Sequence, residues 1–129
     1  TGIYRPIAIK ISPDESDEVL KNMVDTAIEY SMDGMITTNT TQELSLIESP
    51  YTNRLKGGLS GQPLAQKSLA CLQRVKQYAG DAMSIISVGG IDSAAQAKSR
   101  LDAGADLVQL YTGLIYQGPR LVQAIVNAL

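Results

Sequence analysis

The chain has 129 residues, 44% of them hydrophobic and 19% charged, with a formal net charge of −2; this suffices for one domain with an ordinary core. The acidic balance leaves no basic stripe to track a polymer of phosphates, so nucleic acid is not expected as a partner. Histidine is absent and Cys71 is the one cysteine, which excludes a histidine base, a His-ligated metal site and any disulfide within the chain.

Residues 6–12, PIAIKIS, form a nearly continuous isoleucine-rich run, as expected of a parallel strand buried on both faces. Ser12-Pro13-Asp14-Glu15 then fits a capping box with proline at the first helical position. Val19, Leu20, Met23, Val24, Ala27 and Ile28 share one face of the helix that follows. Residues 33–39, DGMITTN, read as a second strand, and a long polar stretch over 40–62 ends in GGLSGQ. Pro63 opens a second helix, with Leu64, Ser68, Leu69, Leu72 and Val75 on its buried side and Gly80 as its stop. Residues 83–88, MSIISV, give a third strand, after which Asp92 or Ser93 caps an alanine-rich helix ended by Gly104. Residues 106–111, DLVQLY, are a fourth strand, and GPRLVQAIVNAL a last helix with proline near its start.

Strict alternation of strand and helix demands a parallel sheet with right-handed crossovers. An open doubly wound sheet and part of an eight-stranded barrel both satisfy it. A complete barrel takes about 250 residues, so four units amount to half of one. The abrupt entry into a strand, with no initiator methionine, suggests a piece of something longer. Apolar runs are short and interrupted, so no membrane span is expected, and a reducing, intracellular setting is the default.

Four features stand out as chemistry. Alternation sets Lys10 on the face opposite Ile7, Ile9 and Ile11, near the end of an expected buried strand. Such a lysine either snorkels to solvent or serves as a cation beneath an anionic ligand or developing negative charge. The run TTNTT at 37–41 supplies hydroxyls and a carboxamide for a small polar ligand, although by itself it reads as a polar turn with Asn39 in an unusual backbone conformation. GGLSG at 57–61 is a flexible-loop signal, weak alone. Gly89-Gly90 closes the third strand and Tyr111-Thr112-Gly113 the fourth. In the second half of a barrel these are the loops after strands seven and eight, where backbone N–H groups recurrently hold phosphate.

Taken together, PIAIKISPD, DGMITTNTT, GGLSGQPL, ISVGGIDS and AGADLVQLYTGLIYQGP resemble the dihydroorotate dehydrogenases, in particular their membrane-associated, quinone-dependent class. The resemblance covers essentially the whole chain and favours the barrel: four βα units forming the second half of a (β/α)8 TIM barrel that binds FMN. It implies that Lys10 lies against the flavin ring and that Thr38, Gly61 and Gly90 contact FMN. It also implies that Tyr111 and Thr112 hold the FMN phosphate, and that Asn39 and Thr40 hydrogen-bond dihydroorotate or orotate. The implied reaction moves hydride from dihydroorotate to flavin while a base takes a proton, and electrons then pass to a quinone, a step of pyrimidine biosynthesis. The implied base is a serine in the first half of the barrel, and no segment here corresponds to it; Ser12, Ser60 and Ser87 lie outside that motif. Partners implied are therefore the N-terminal half-barrel, the substrate and, through the absent N-terminal region, a quinone at the cytoplasmic face of the inner membrane. The isolated chain is expected to be inactive, and no metal is expected. A non-enzymatic phosphate- or nucleotide-binding half-barrel is the rival, as is another FMN- or phosphate-dependent chemistry on the same barrel, but a phosphate cradle alone needs neither Lys10 nor Asn39-Thr40.

Overall fold

A computed structural model describes residues 2–49 and 56–129; Thr1 and the 50–55 portion of the expected polar stretch lie outside the described residues. Four strands, β1 (Ala8–Ile11), β2 (Gly34–Thr37), β3 (Ser84–Val88) and β4 (Leu107–Gln109), form one sheet in the order β1-β2-β3-β4. Every neighbouring pair is parallel, with Ile11 beside Thr37, Thr37 beside Ser87 and Ser87 beside Val108. Each strand is shorter than its apolar run, because the flanking residues turn into the loops.

Helix α1 (Asp17–Glu29) begins four residues later than the capping-box reading placed it. Ser16 is the cap, its hydroxyl accepting the Val19 N–H at 3.3 Å, and Asp17 and Glu18 sit at the positive end of the helix dipole. The Ser12 hydroxyl accepts the Asp14 N–H instead, so 12–15 is a turn, and Asp14 is turned toward a distant loop. Helix α2 (Ala65–Ala79) is entered through a 3-10 turn, Gln62–Leu64, that holds Pro63. Helix α3 (Ala94–Asp102) is capped by Ser93, while the Gln96 side chain accepts the Asp92 N–H. A short helix α4 (Thr112–Gln117), absent from the sequence reading, precedes α5 (Arg120–Ala128).

Leu20, Val24 and Ala27 recur at helical spacing on α1 and are buried against Leu72 and Val75 of α2 and Ile11, Met35 and Ile85 of the sheet. Cys71 lies in the same cluster, and burial pushes its thiol up to about 11, which leaves it an unreactive core residue. A second cluster joins Ile91 and Ala97 to Leu121 and Ile125 of α5. The expected apolar face of α1 is split. Val19 and Met23 remain exposed, alongside Ile9, in a groove beside β1, and Ile28 is exposed outside it.

The expectation that the first strand is buried on both faces is corrected. β1 is an edge strand, exposed at Ala8, Ile9 and Lys10 and buried only at Ile11, because among the described residues β2 alone pairs with it. β4 is the other edge, with Leu107 59% exposed.

Candidate functional site

In a parallel sheet every strand presents its C-terminal end, with the loop that follows, to the same rim. Around this rim lies a cavity of about 230 Å³ lined by Lys10 of β1, by Thr38, Asn39 and Thr40 after β2, and by Gly61. Gly90 after β3 and Tyr111 and Thr112 after β4 complete the set, so every residue singled out for a site borders this one cavity. No carboxylate lines it, and Lys10 is its one charged side chain among the described residues. It adjoins a wider hollow of about 530 Å³ that shares Ser60, Gly61, Gly90 and Thr112.

Local hydrogen bonds fix the loop after β2. The Thr38 N–H donates to the Val88 carbonyl at 2.9 Å and the Asn39 N–H to the Ile11 carbonyl at 2.7 Å, which ties the loop to both neighbouring strands. The Thr38 hydroxyl donates to the Asn39 carbonyl, and Asn39 Oδ1 accepts the Thr40 N–H at 2.9 Å. That leaves the carboxamide NH2 of Asn39, which is exposed at the cavity, outside these local bonds. The run 37–41 is thus a turn and a donor platform together. Behind it, Thr41 donates to Asp14, which also accepts the Gln42 N–H at 2.7 Å and pairs with Lys67 at 2.6 Å. Lys67 pairs as well with Glu43 at 2.6 Å. Burial pushes the Asp14 carboxyl up, but the hydrogen bonds from Gln42, Lys67 and Thr41 outweigh it and hold the group below its ordinary value.

The glycines have two reasons to be glycine. A Cβ on Gly90 would stand 2.5 Å from Cα of Ala65, and the backbone there has φ +74°, so the loop packs on the start of α2 only without a side chain. At the same time the Gly90 N–H, like that of Gly61, finds no acceptor among the described residues. Both residues are buried, so each is an unused donor at the cavity wall. Close packing explains the missing side chain, and the free N–H explains what the bare backbone can hold.

Thr112 donates to the Ser60 hydroxyl at 3.1 Å, and a Cβ on Gly61 would approach Thr112 Cγ2 to 3.0 Å, so these two loops meet directly. The Tyr111 side chain is exposed at the rim. Lys10 departs from expectation. It is exposed rather than dehydrated, since its strand is the open edge of the sheet.

One residue at this site escaped the sequence reading. Arg100 of α3 is 2% exposed, and its guanidinium donates to the Ala65 carbonyl at 2.7 Å and the Gly89 carbonyl at 2.9 Å. It also donates to the hydroxyls of Ser68 at 2.7 Å and Ser87 at 3.3 Å. Ala97, three residues earlier, is also buried, and that shared helical face was the available signal.

The arrangement offers buried N–H donors, hydroxyls and a carboxamide around a cavity free of acids, which is chemistry for a small anionic or carbonyl-rich ligand. Comparisons with known proteins identify the family and the fold. Residues 3–129 match the family model described as dihydroorotate dehydrogenase. A dihydroorotate dehydrogenase (quinone) of Legionella pneumophila is 45% identical over 128 residues, which is 99% of this chain and 38% of that protein. The Aliivibrio salmonicida protein of the same name is 47% identical over 126 residues, again 38% of its length. A crystal structure of the Eimeria tenella dihydroorotate dehydrogenase in complex with ferulenol superposes with a TM-score of 0.90 at 36% identity, covering 99% of this chain and 34% of that one. The sheet is accordingly four βα units of a TIM barrel, and the chain spans little more than a third of the relatives it matches. With its fold and nearly its whole length in agreement, the chain belongs to the dihydroorotate dehydrogenase family.

Proposed function

We propose that this chain is the C-terminal half of an FMN-dependent barrel that oxidises dihydroorotate to orotate and delivers the electrons to a quinone. The observation that carries the reading is the convergence of Lys10, Thr38, Asn39, Thr40, Gly61, Gly90, Tyr111 and Thr112, from four separate βα units, on one acid-free cavity. The residues fit FMN: the unused N–H groups of Gly61 and Gly90 and the hydroxyl of Thr112 suit a phosphate, and side-chain-free walls admit a flat ring. Bound FMN supplies the hydride acceptor. Lys10 sets a cation on the inner face of the sheet, where it favours negative charge developing on a neighbouring group. Asn39 and Thr40 offer a carboxamide and a hydroxyl to the carbonyl and N–H edges of the substrate ring.

The proton acceptor, the quinone contact and association with the inner membrane are assigned to the part of the relatives that this chain does not span. Among the described residues no helix is long and apolar enough to cross a membrane, and no cluster of three metal-ligating side chains occurs. The isolated chain is therefore expected to lack dihydroorotate:quinone turnover and to bind FMN weakly, because half the walls of the flavin site are missing. The decisive experiment is Lys10→Ala in the complete protein that carries this chain. Stopped-flow bleaching of the oxidised flavin should slow markedly while dihydroorotate affinity changes little. An unchanged reduction rate would remove Lys10 from the role given to it.

A further inference from the structure

The Arg100 guanidinium is buried and bonded only to neutral acceptors: the hydroxyls of Ser68 and Ser87 and the carbonyls of Ala65 and Gly89. No carboxylate pairs with it among the described residues, although exposed and half-buried Lys and Arg side chains elsewhere in the chain do find such partners. A buried charge without a counter-charge is unfavourable, and one so placed calls for a function. Burial moves its pKa down, but a guanidinium keeps its proton in a folded protein.

Its position supplies the function. The Gly89 carbonyl is gripped from the helix side by Arg100 at 2.9 Å and by the Ser68 hydroxyl at 2.8 Å. The Gly89–Gly90 peptide is trans, so its C=O and N–H point in opposite directions. The Gly90 N–H therefore points away from α2 and α3, it carries no acceptor, and both glycines line the cavity. We propose that Arg100 is a positioning residue for an anion-binding wall: it locks the Gly89–Gly90 peptide with the N–H toward the cavity, and its unpaired charge behind that peptide favours a phosphate in front of it. Its pull on the carbonyl also polarises the peptide and strengthens the N–H as a donor. This rests on the reading of the cavity as the seat of the FMN phosphate, and adds to it a residue that touches neither phosphate nor ring.

The test compares ligands that differ only in the phosphate. In the complete protein, FMN and riboflavin affinities are measured by fluorescence titration for wild type, Arg100→Gln, Arg100→Lys and Ser68→Ala, with circular dichroism as the check on folding. Loss of one charge-assisted contact predicts an FMN affinity about tenfold weaker in Arg100→Gln, with riboflavin affinity nearly unchanged. Arg100→Lys, which keeps the charge, should recover much of the loss, and Ser68→Ala should show a smaller loss of the same FMN-selective kind. Should Arg100→Gln not fold, the Lys and Ala variants carry the comparison. Equal weakening of both ligands would mean that Arg100 only supports the fold, and undiminished FMN preference in the variants would also overturn the inference. A wild type that binds inorganic phosphate in an Arg100-dependent way but not FMN would keep the inference and defeat the FMN reading instead.

Discussion

On the helix-covered face of the sheet, Ile11, Met35 and Ile85 are sealed beneath α1 and α2, and even the polar Thr37 and Ser87 are shut away from solvent. On the opposite face, Lys10 and Gln109 are exposed, Ile36 and Ile86 are half-buried, and Leu107 is 59% exposed. The two faces belong to the same four strands, so strand propensity does not distinguish them. Layering does. A barrel fills its interior with side chains from all its strands, and four strands supply only part of that filling. The covered face already has its helices, whereas the open face keeps the polar groups that a ligand, or the rest of a barrel, would meet.

The largest effect expected from this contrast is on stability. Leu72→Ala, in the sealed core, should cost about 2–5 kcal/mol in denaturant unfolding. Leu107→Ala should stay within about 0.5 kcal/mol in this chain, since its side chain is largely in water already. The same Leu107 change in the complete protein should cost distinctly more. An equal cost in both settings would mean that the open face is covered in some other way.

A smaller effect belongs to the rim between the faces. Asn39→Ala should weaken orotate binding in the complete protein by about 1–3 kcal/mol in calorimetric titration, because ligand polar groups would lose their partner. Its effect on unfolding should be slight, as the Asn39 side chain is exposed. If stability drops and binding does not, the run 37–41 is a turn and nothing more.

The smallest effect tests the tie that holds this rim to the covered side. The folded Asp14 carboxyl has its pKa lowered from its ordinary value of 3.8. The folded state therefore binds this proton less readily than the unfolded chain does. Stabilisation from Asp14 is present above the unfolded pKa and lost as pH falls through the folded one. Asp14→Asn should cost less than about 1 kcal/mol at neutral pH, the pair with Lys67 being partly exposed. The gap between wild type and variant should close in acid below 3.8. A gap that persists there would put the stabilisation in geometry rather than charge.

Much of this was legible in the residues. The alternation of isoleucine-rich runs with helical patterns gave the strands in order, and glycine-bearing strand ends marked the rim. What could not be read locally were interactions between distant segments. Ser12 read as the helix cap and Asp14 as a helix-start acid, whereas Gln42 and Lys67 draw Asp14 away. Arg100 sits in an alanine-rich, polar helix that reads as a solvent face, and it is buried because the Gly89 loop folds over it. α4 carries too few turns to show a period. Lys10 was assigned to a buried strand because an apolar run reveals how many faces could be covered, not whether a neighbour is at hand.

Each strand pairs with the strand made just before it, since spatial order and chain order coincide. During synthesis β2, β3 and β4 thus each emerge beside a strand already made. Within these four units assembly can advance one unit at a time, with β1 and the newest strand as the two unpaired edges, in a sequence of short closures.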